Sequence, residues 1–283
     1  MSDENSNGTA VKFTTPAGVI EGYRAVSPII ERHGDVTAMD AEGVYYKQLN
    51  ESIRTAAAAH AKTIRLTNVN GQRYIGCGMS APGTRIEITG TAGNDLAMFA
   101  DGVDIEVFGT AQDGVGNTMT NGRVVIHGDA GDVLGYGMRG GHVFVKGDVG
   151  YRVGIHMKAY EKHIPVLVCG GKARDFFGEY MAGGVLVLLG MNARDEAQPL
   201  VGSFCGAGMH GGVMYLRGTV EPWQCGAEVG VTQATDEDMA ALKPILAEYA
   251  DALDEDLEAI LAGTFTKIAP RSHRPYSKLY ASL

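Results

Sequence analysis

The sequence predicts an all-β protein, a right-handed parallel β-helix of about seven turns with short capping helices at its ends. Three observations predict this fold: a high glycine content, a repeat of about 19 residues, and apolar residues that alternate within each repeat. Of the 283 residues, 40 are glycine, about twice the usual share. The glycines do not recur at every third position, which excludes collagen, and the many Val, Ile and Leu runs argue against disorder. The remaining explanation is a backbone that turns sharply and often.

The glycines that close short apolar strands recur at a nearly constant interval. Their spacings are 19, 19, 19, 23, 20 and 28 residues, and they are Gly90, Gly109, Gly128, Gly147, Gly170, Gly190 and Gly218. Methionines keep a similar interval at Met79, Met98, Met119, Met138, Met157, Met181 and Met209. Because two residue types share one period, the repeat is expected to be structural. The longer steps mark insertions after Met157 and after Gly190.

Each repeat carries a pair of apolar residues two and four positions before its closing glycine. The pairs are Ile86/Ile88, Ile105/Val107, Val124/Ile126, Val143/Val145, Val166/Val168, Leu186/Leu188 and Met214/Leu216. Alternate residues of a strand share one face. Each repeat is therefore expected to bury one pair inside a stack of parallel strands. Helical-hairpin repeats are disfavoured, because they need 30 or more residues per unit and few glycines.

Three parts of the chain are predicted. Residues 1–60 form an N-terminal extension and capping segment, residues 61–220 the β-helix, and residues 221–283 a C-terminal helical extension and tail. A stack of strands needs its ends covered. We therefore expect Ile64–Val69 to be the first strand and Asn50–His60 to be a capping helix.

The C-terminal part is expected to be helical from Thr235 to Ala262. Thr235 and Asp238 are expected to form a capping box at its start. Pro244 is expected either to begin a second helix or to kink the first. The tail Phe265–Leu283 is too short to fold alone and is expected to dock on a neighbouring surface.

Composition excludes several classes of function. The net charge of −9 argues against a nucleic-acid partner. No apolar run is long enough for a membrane span, and the polar start lacks a signal-peptide core. These features predict a cytoplasmic protein. The four cysteines form no C-x-x-C pair, so no zinc or iron–sulfur ligand set is predicted; they are Cys77, Cys169, Cys205 and Cys225.

Two G-x-G-x-x-G motifs invite a dinucleotide-binding interpretation, at Gly135–Gly140 and Gly206–Gly211. A dinucleotide phosphate loop must open a helix, whereas each motif here precedes another strand at the same phase of the repeat. We therefore assign both motifs to structural turns. Asp113, Asp132 and Asp175 each lie three residues before a glycine, without the calcium-binding rhythm, and are expected to cap their own turns.

The best-placed histidines, His156 and His210, lie at turns but have no visible acid, base or second ligand nearby. Arg139, Arg152 and Lys158 could bind an anion, although solvated surface charges are the default expectation. No catalytic, cofactor-binding or metal-binding residue is predicted for this chain.

An outward-facing apolar ridge is predicted three positions before the closing glycines. Glu87 and Glu106 occupy this position in the first two repeats, followed by Val125, Phe144, Leu167, Val187 and Tyr215. A ridge of this kind should not face water. It is covered either by a chain end, meaning the N-terminal segment or the C-terminal helix, or by a partner. In the second case the predicted partner interface consists of Phe144, Leu167, Val187 and Tyr215.

The glycine motifs in combination resemble a known family. They are Gly114–Met119, Gly135–Gly141, Gly154–Lys158, Gly178–Gly184 and Gly208–Gly212. Together they resemble the Gly-repeat (GXGXG) domain at the C-terminal end of the glutamate synthase large subunit. The likeness is greater to the stand-alone form found where that enzyme is split into separate chains, and it covers roughly Asp40 to Gly218.

The resemblance implies a non-catalytic scaffold subunit within a glutamate synthase or N-methylglutamate synthase complex. Its implied partners are a glutamine amidotransferase-like subunit, which frees ammonia, and an FMN-binding glutamate synthase-like subunit, which adds it to 2-oxoglutarate. FMN and iron–sulfur clusters are expected on those partners, and no cofactor on this chain. The same domain occurs in the C subunit of formylmethanofuran dehydrogenase and in its formyltransferase/hydrolase relative, which is the alternative. An independent β-helical hydrolase would need a carboxylate or histidine cluster, and none can be assembled from the sequence.

Overall fold

The computed structural model describes residues 27–273 in full and the backbone of residues 12–15 and 18–21. The latter form an antiparallel pair, β1 (Lys12–Thr15) and β2 (Gly18–Glu21). The part of the predicted tail that follows residue 273 lies outside the described residues.

Within residues 27–273, twelve strands form one sheet. They are β3 (Ile29–His33), β4 (Val36–Asp40), β5 (Thr63–Asn70), β6 (Arg85–Ala92), β7 (Asp101–Ala111), β8 (Asn121–Ile126), β9 (His142–Val145), β10 (Val166–Cys169), β11 (Ala182–Leu188), β12 (Gly211–Arg217), β13 (Val229–Gln233) and β14 (Phe265–Pro270). From β3 to β12 the spatial order follows the chain, and β14 and then β13 complete the sheet. All neighbours from β4 to β12 are parallel. The pairs β3/β4, β12/β14 and β13/β14 are antiparallel.

The strand register reproduces the sequence repeat. Residues 19 apart pair directly across successive strands from β6 to β9, for example Ile86, Ile105, Val124 and Val143. Parallel strands in this register place equivalent side chains of successive repeats on one face of the sheet. The insertions lengthen the later steps without breaking the sheet.

The predicted parallel β-helix is wrong. The strands of residues 27–273 form a single open sheet with β3 and β13 at its edges, and the sheet does not close on itself. Between strands, most repeats continue as a glycine-rich turn segment rather than as further strand. Val133, Gly135 and Gly137, for example, have φ values of +51°, +68° and +57°. Extended strands require negative φ, so this half of the repeat cannot add strands to close the sheet.

The main core contains aliphatic side chains of the strands and methionines of the turn segments. Five methionines of the turn segments are fully buried: Met119, Met138, Met157, Met181 and Met209. Met98, however, is out of phase with them and is partly exposed. Ala100 takes the buried place, since its amide donates to the Ala97 carbonyl as the Met119 amide donates to that of Gly116.

The predicted register of β10 is wrong by one residue. Leu167 pairs with Val143, and Cys169 with Val145, so Leu167 and Cys169 enter the main core. Val166 and Val168 face the opposite side. All four residues of β10 are buried, and a strand buried on both faces shows no alternation from which its register can be read. The other twelve predicted core residues do share the main core.

Helix α1 (Tyr46–Ala58) covers one end of the main core. It begins four residues before the predicted start, and it buries Leu49, Ile53 and Ala56 among the strand residues. The predicted first strand is also not the first of the sheet, because β4 and β3 precede β5. The capping of this end is thus shared between a helix and two extra strands.

Helix α2 (Asp236–Leu253) packs on the outer face of the sheet. Thr235 is its N-cap, and the predicted capping box with Asp238 is confirmed. Pro244 lies inside α2, which continues past it, and α3 (Leu257–Leu261) follows. Among residues 27–273, no helix combines the length and the apolar character that a membrane crossing demands.

Candidate interaction surface on the turn face

Each turn segment has three alternate residues with positive φ, which we call its first, middle and third positions. The first positions are Tyr74, Asp95, Gly114, Val133, Arg152, Phe176 and Phe204. The middle positions are Gly76, Ala97, Gly116, Gly135, Gly154, Gly178 and Gly206. The third positions are Gly78, Phe99, Thr118, Gly137, His156, Tyr180 and Gly208. Successive segments are joined by backbone hydrogen bonds, such as Gly135 N to Val115 O (2.8 Å) and Gly154 N to Leu134 O (2.7 Å).

The middle position faces the core. It is almost always glycine because the core leaves no room for a Cβ atom there. A Cβ on Gly135 would lie 2.7 Å from Leu167 Cδ1, and one on Gly154 would lie 2.7 Å from Leu186 Cδ2. Both leucines are fully buried, so they have little room to move. The G-x-G-x-x-G motifs therefore serve packing, and β9 and β12 follow them where a dinucleotide site needs a helix.

The first and third positions face outward, and in three neighbouring segments five of these six positions carry large side chains, the exception being Gly208. These side chains, with the adjacent Glu179, form what we call the turn-face cluster: Arg152, His156, Phe176, Glu179, Tyr180 and Phe204. Positive φ costs a non-glycine residue about 1 kcal/mol. Glycine occupies equivalent places elsewhere, for example Gly114 and Gly137. The backbone therefore does not require these side chains, which points to a role at the surface.

A stack of side chains runs along the first positions of the turn-face cluster. The Arg152 guanidinium lies 4.3 Å from the centroid of the Phe176 ring, and that ring stacks on Phe204 at 4.9 Å with an interplanar angle of 10°. Arg152 also pairs with Glu179, whose side chain is 9% exposed. The ion pair holds the guanidinium over the ring, while Phe204 remains 55% exposed at the end of the stack.

A second stack runs along the third positions. His156 and Tyr180 stack at 5.3 Å with an interplanar angle of 10°, and Tyr136 meets the edge of His156 at 5.9 Å. Tyr180 extends over Gly208, where a Cβ would lie 2.3 Å from the tyrosine ring. Because Gly208 has no side chain, the Tyr180 ring can lie over it. Tyr136 and Tyr180 are 41% and 39% exposed, an aromatic surface of the kind enriched at protein interfaces.

The cations singled out in the sequence divide into two kinds. Arg152 is engaged by Glu179 and Phe176 and is not free to take an anion. Arg139 and Lys158 are exposed, and neither has a carboxylate partner among the ion pairs of residues 27–273. They follow the buried Met138 and Met157 in adjacent segments, so the turn-face cluster has a basic border.

Within residues 27–273, neither His156 nor His210 is brought together with acidic side chains or further metal ligands. His210 Nδ1 donates to the Gly208 carbonyl oxygen at 3.2 Å, and His156 is held by aromatic stacking. No group of three or more His, Cys, Asp or Glu side chains among the described residues is arranged to hold a metal ion.

The three aspartates cap backbone amides, although not those of their own turns as expected. Their carboxylates accept from the next repeat: Asp113 from Asp132 N at 2.9 Å, Asp132 from Tyr151 N at 2.8 Å, and Asp175 from Ser203 N at 2.8 Å. They join successive turn segments and thereby hold the outward positions in register.

The four residues predicted as a partner interface are buried within the chain itself. Phe144, Val187 and Tyr215 lie under α2 in a second apolar cluster with Leu246 and Tyr249, among others. Leu167 faces the main core instead. The sequence allowed the apolar ridge to be covered by a chain end or by a partner. In the structure the C-terminal helix α2 covers it.

Sequence reasoning missed Phe176, Tyr180 and Phe204. The signal was available, because these residues lie two places before or after the middle glycines of the repeat. The closing glycines and apolar pairs of the strands give the period of the repeat, but they do not indicate which turn residues face outward.

Comparison with known proteins agrees with the resemblance found in the sequence. A family model described as "GXGXG motif" matches residues 40–272, consistent with the glutamate synthase GXGXG domain. An uncharacterized protein of Methanocaldococcus jannaschii is 45% identical over 248 residues, which cover 86% of this chain and 95% of that protein.

Proposed function

Because the chain belongs to the GXGXG motif family, we propose that it is a non-catalytic scaffold subunit of a glutamate synthase-type complex, working in the cytoplasm. It links a glutamine amidotransferase-like subunit to an FMN-binding subunit. The complex makes glutamate or N-methylglutamate. FMN and iron–sulfur clusters belong to the partners in this proposal. The family match over residues 40–272 is the observation that carries it.

The turn-face cluster supports a scaffold role and is the surface through which we propose a partner docks. Its exposed rings, Tyr180 and Phe204, sit on rigid stacked segments, so binding costs little ordering of side chains. Aromatic residues and arginine are the usual energetic centres of interfaces. The partner surface would contact the aromatic rings at its centre. At its edge it would carry acidic residues that face Arg139 and Lys158.

Purification of the native complex through a tag on this chain tests the assignment. The expected result is co-purification of glutaminase activity and of a flavin with the absorption spectrum of FMN. Co-purification with a molybdenum or tungsten chain, or with an amidohydrolase-like chain, would replace the proposal by the one-carbon alternative. Turnover of substrate by the isolated chain would overturn the scaffold role altogether.

Glycine substitutions test the docking surface without disturbing the backbone. Tyr180→Gly and Phe204→Gly keep a residue suited to positive φ, and should together weaken partner binding by about tenfold or more. Phe108→Ala is the matched control, because Phe108 is 45% exposed on the outer face of the sheet instead. Unchanged partner affinity in the double variant, measured by titration, would exclude the turn-face cluster from the interface.

A further inference from the structure

Two cysteines that lie 20 positions apart in the sequence are direct neighbours in the structure. Cys205 and Cys225 form a parallel β-bridge outside the named strands. Cys205 N donates to Gln224 O at 2.8 Å, and Gly226 N donates to Cys205 O at 2.8 Å. Directly paired residues of parallel strands lie about 4.8 Å apart, with side chains on the same face. That separation falls in the range of about 4.4–6.8 Å between the Cα atoms of disulfide-bonded cysteines.

The two thiols differ in access and in acidity. Cys205 is fully buried in the main core, while Cys225 is half-buried at its margin. The Cys205 thiol donates a hydrogen bond to the Cys225 sulfur, which holds the pKa of Cys225 below its usual value even though burial acts to raise it. The same hydrogen bond, together with burial, raises the pKa of Cys205. Cys225 is thus the accessible nucleophile, and Cys205 is the sulfur placed to react second.

The other two thiols have no such arrangement. Burial alone raises the pKa of Cys169, which is fully buried within β10. Burial likewise raises the pKa of Cys77. The pairing therefore singles out two of the four cysteines.

We propose that Cys205 and Cys225 form a thiol–disulfide redox site that exchanges with low-molecular-weight disulfides. The Cys225 thiolate attacks one sulfur of the disulfide R–S–S–R, which forms a mixed disulfide and releases RS⁻. The Cys205 thiol then gives its proton to the released RS⁻. The Cys205 sulfur attacks the Cys225 sulfur of the mixed disulfide and expels the second RS⁻. This second thiolate takes a proton from solvent, which balances the proton that Cys225 lost on ionisation. Two protein thiols and one R–S–S–R become one intrachain disulfide and two RSH.

The bond would close a loop that contains β12 and the short 3-10 helix Pro222–Gln224. A cross-link restricts the unfolded chain and so favours the folded one. Oxidation should raise the Tm by roughly 5–10 °C. The exchange chemistry does not depend on the proposed scaffold role, so either can fail without the other.

Trp223 gives the site its own optical signal. It is the single tryptophan of the chain, is 71% exposed, and lies two residues from Cys225, where a disulfide quenches indole fluorescence. The folded protein is treated with hydroxyethyl disulfide, and tryptic peptides are analysed without reduction. Arg217 separates the two cysteines, so only a disulfide can keep their peptides together.

The expected result is a Cys205–Cys225 linked peptide, two remaining titratable thiols, and a loss of fluorescence that dithiothreitol restores. Cys205→Ser should accumulate a stable mixed disulfide on Cys225, whereas Cys225→Ser should leave Cys205 unmodified. Cys77→Ser and Cys169→Ser serve as controls and should behave like the parent protein. Four titratable thiols after treatment, or modification of Cys77 instead of Cys225, would overturn the proposal.

Discussion

Single glycines of the turn segments decide whether successive repeats can stack. Two of them in one motif separate the effect of backbone conformation from that of space. Gly137 has a φ of +57°, yet a Cβ there would meet nothing nearer than 3.6 Å. At Gly140, which does not have positive φ, a Cβ would lie 2.2 Å from the Thr120 carbonyl oxygen. The first glycine is needed for its conformation and the second for close approach of two backbones.

Gly140→Ala should therefore destabilise the protein more than Gly137→Ala. The backbone must shift at Gly140, at a cost of about 2–3 kcal/mol, whereas Gly137→Ala costs about 1 kcal/mol of left-handed strain. Urea denaturation monitored by circular dichroism gives both free energies of unfolding. Equal losses would mean that the packing between turn segments is looser than described.

Asp238 is the residue whose charge most clearly contributes to stability. Lys267 Nζ donates to its carboxylate at 2.6 Å, and the Tyr215 hydroxyl and Thr235 donate to it as well. The ion pair with Lys267 and these hydrogen bonds hold the pKa of Asp238 well below its usual value, against the effect of burial. Burial, and next to it the hydrogen bond to Asp238, raise the pKa of Tyr215.

The stability that Asp238 provides should depend on pH in one direction. A carboxyl whose folded pKa is lowered stabilises the protein fully above its unfolded pKa of about 3.9, and the contribution is lost as pH falls through the folded pKa. Asp238→Asn should thus lower the free energy of unfolding by about 1–3 kcal/mol at pH 7, with a gap to the parent protein that narrows below about pH 4. Asp236→Asn, at an exposed site in the same helical turn, is the control. A gap that stays constant down to pH 2 would contradict the ionised network.

At the scale of elements, helix α2 and the outer face of the sheet depend on each other. Phe144 is fully buried and meets Tyr249 edge to face at 5.8 Å. Upstream of this region the same face of the sheet carries charge, with Glu106 paired to Arg85 and His127. The transition from charged to apolar residues along the face marks where α2 begins to cover it.

Phe144→Asp should therefore unfold the protein or detach α2, rather than only weaken a partner contact. Burying an unpaired carboxylate and losing the ring costs roughly 4 kcal/mol or more. Phe108→Asp places the same charge at an exposed position of the same face and should change stability by less than about 1 kcal/mol. Thermal unfolding and near-UV circular dichroism distinguish the two. A stable, fully folded Phe144→Asp protein would mean that α2 does not rest on this face.

The elements themselves were largely predictable from the sequence, because periodicity and capping residues act locally. The strands of the repeat, the capping box of Thr235 and Asp238, and the helical C-terminal part follow from such signals. The register of β10 did not, since both of its faces are buried and an insertion precedes it. The continuation of α2 through Pro244 also depends on tertiary packing, which outweighs the loss of one backbone hydrogen bond.

At the scale of the whole molecule, an open sheet of parallel strands carries a face of stacked turns. The sequence repeat predicted the parallel stacking but not the absence of closure, since apolar periodicity reports burial and not whether glycine-rich segments extend or turn. The joining of β3, β4, β13 and β14 to the sheet was not predicted either, because these strands lie outside the repeat. The turn-face cluster was within reach of the sequence, as its residues follow the glycine period, whereas the pairing of Cys205 with Cys225 required the fold.

The scaffold role is tested most directly by reconstituting the complex with and without this chain. Glutamine-driven and ammonia-driven formation of the amino-acid product are measured side by side on the purified partner subunits. Ammonia-driven synthesis should persist without the chain, while glutamine-driven synthesis should require it and should fall when Tyr180 and Phe204 are both replaced by glycine. Undiminished glutamine-driven synthesis in the absence of the chain would contradict the proposed function.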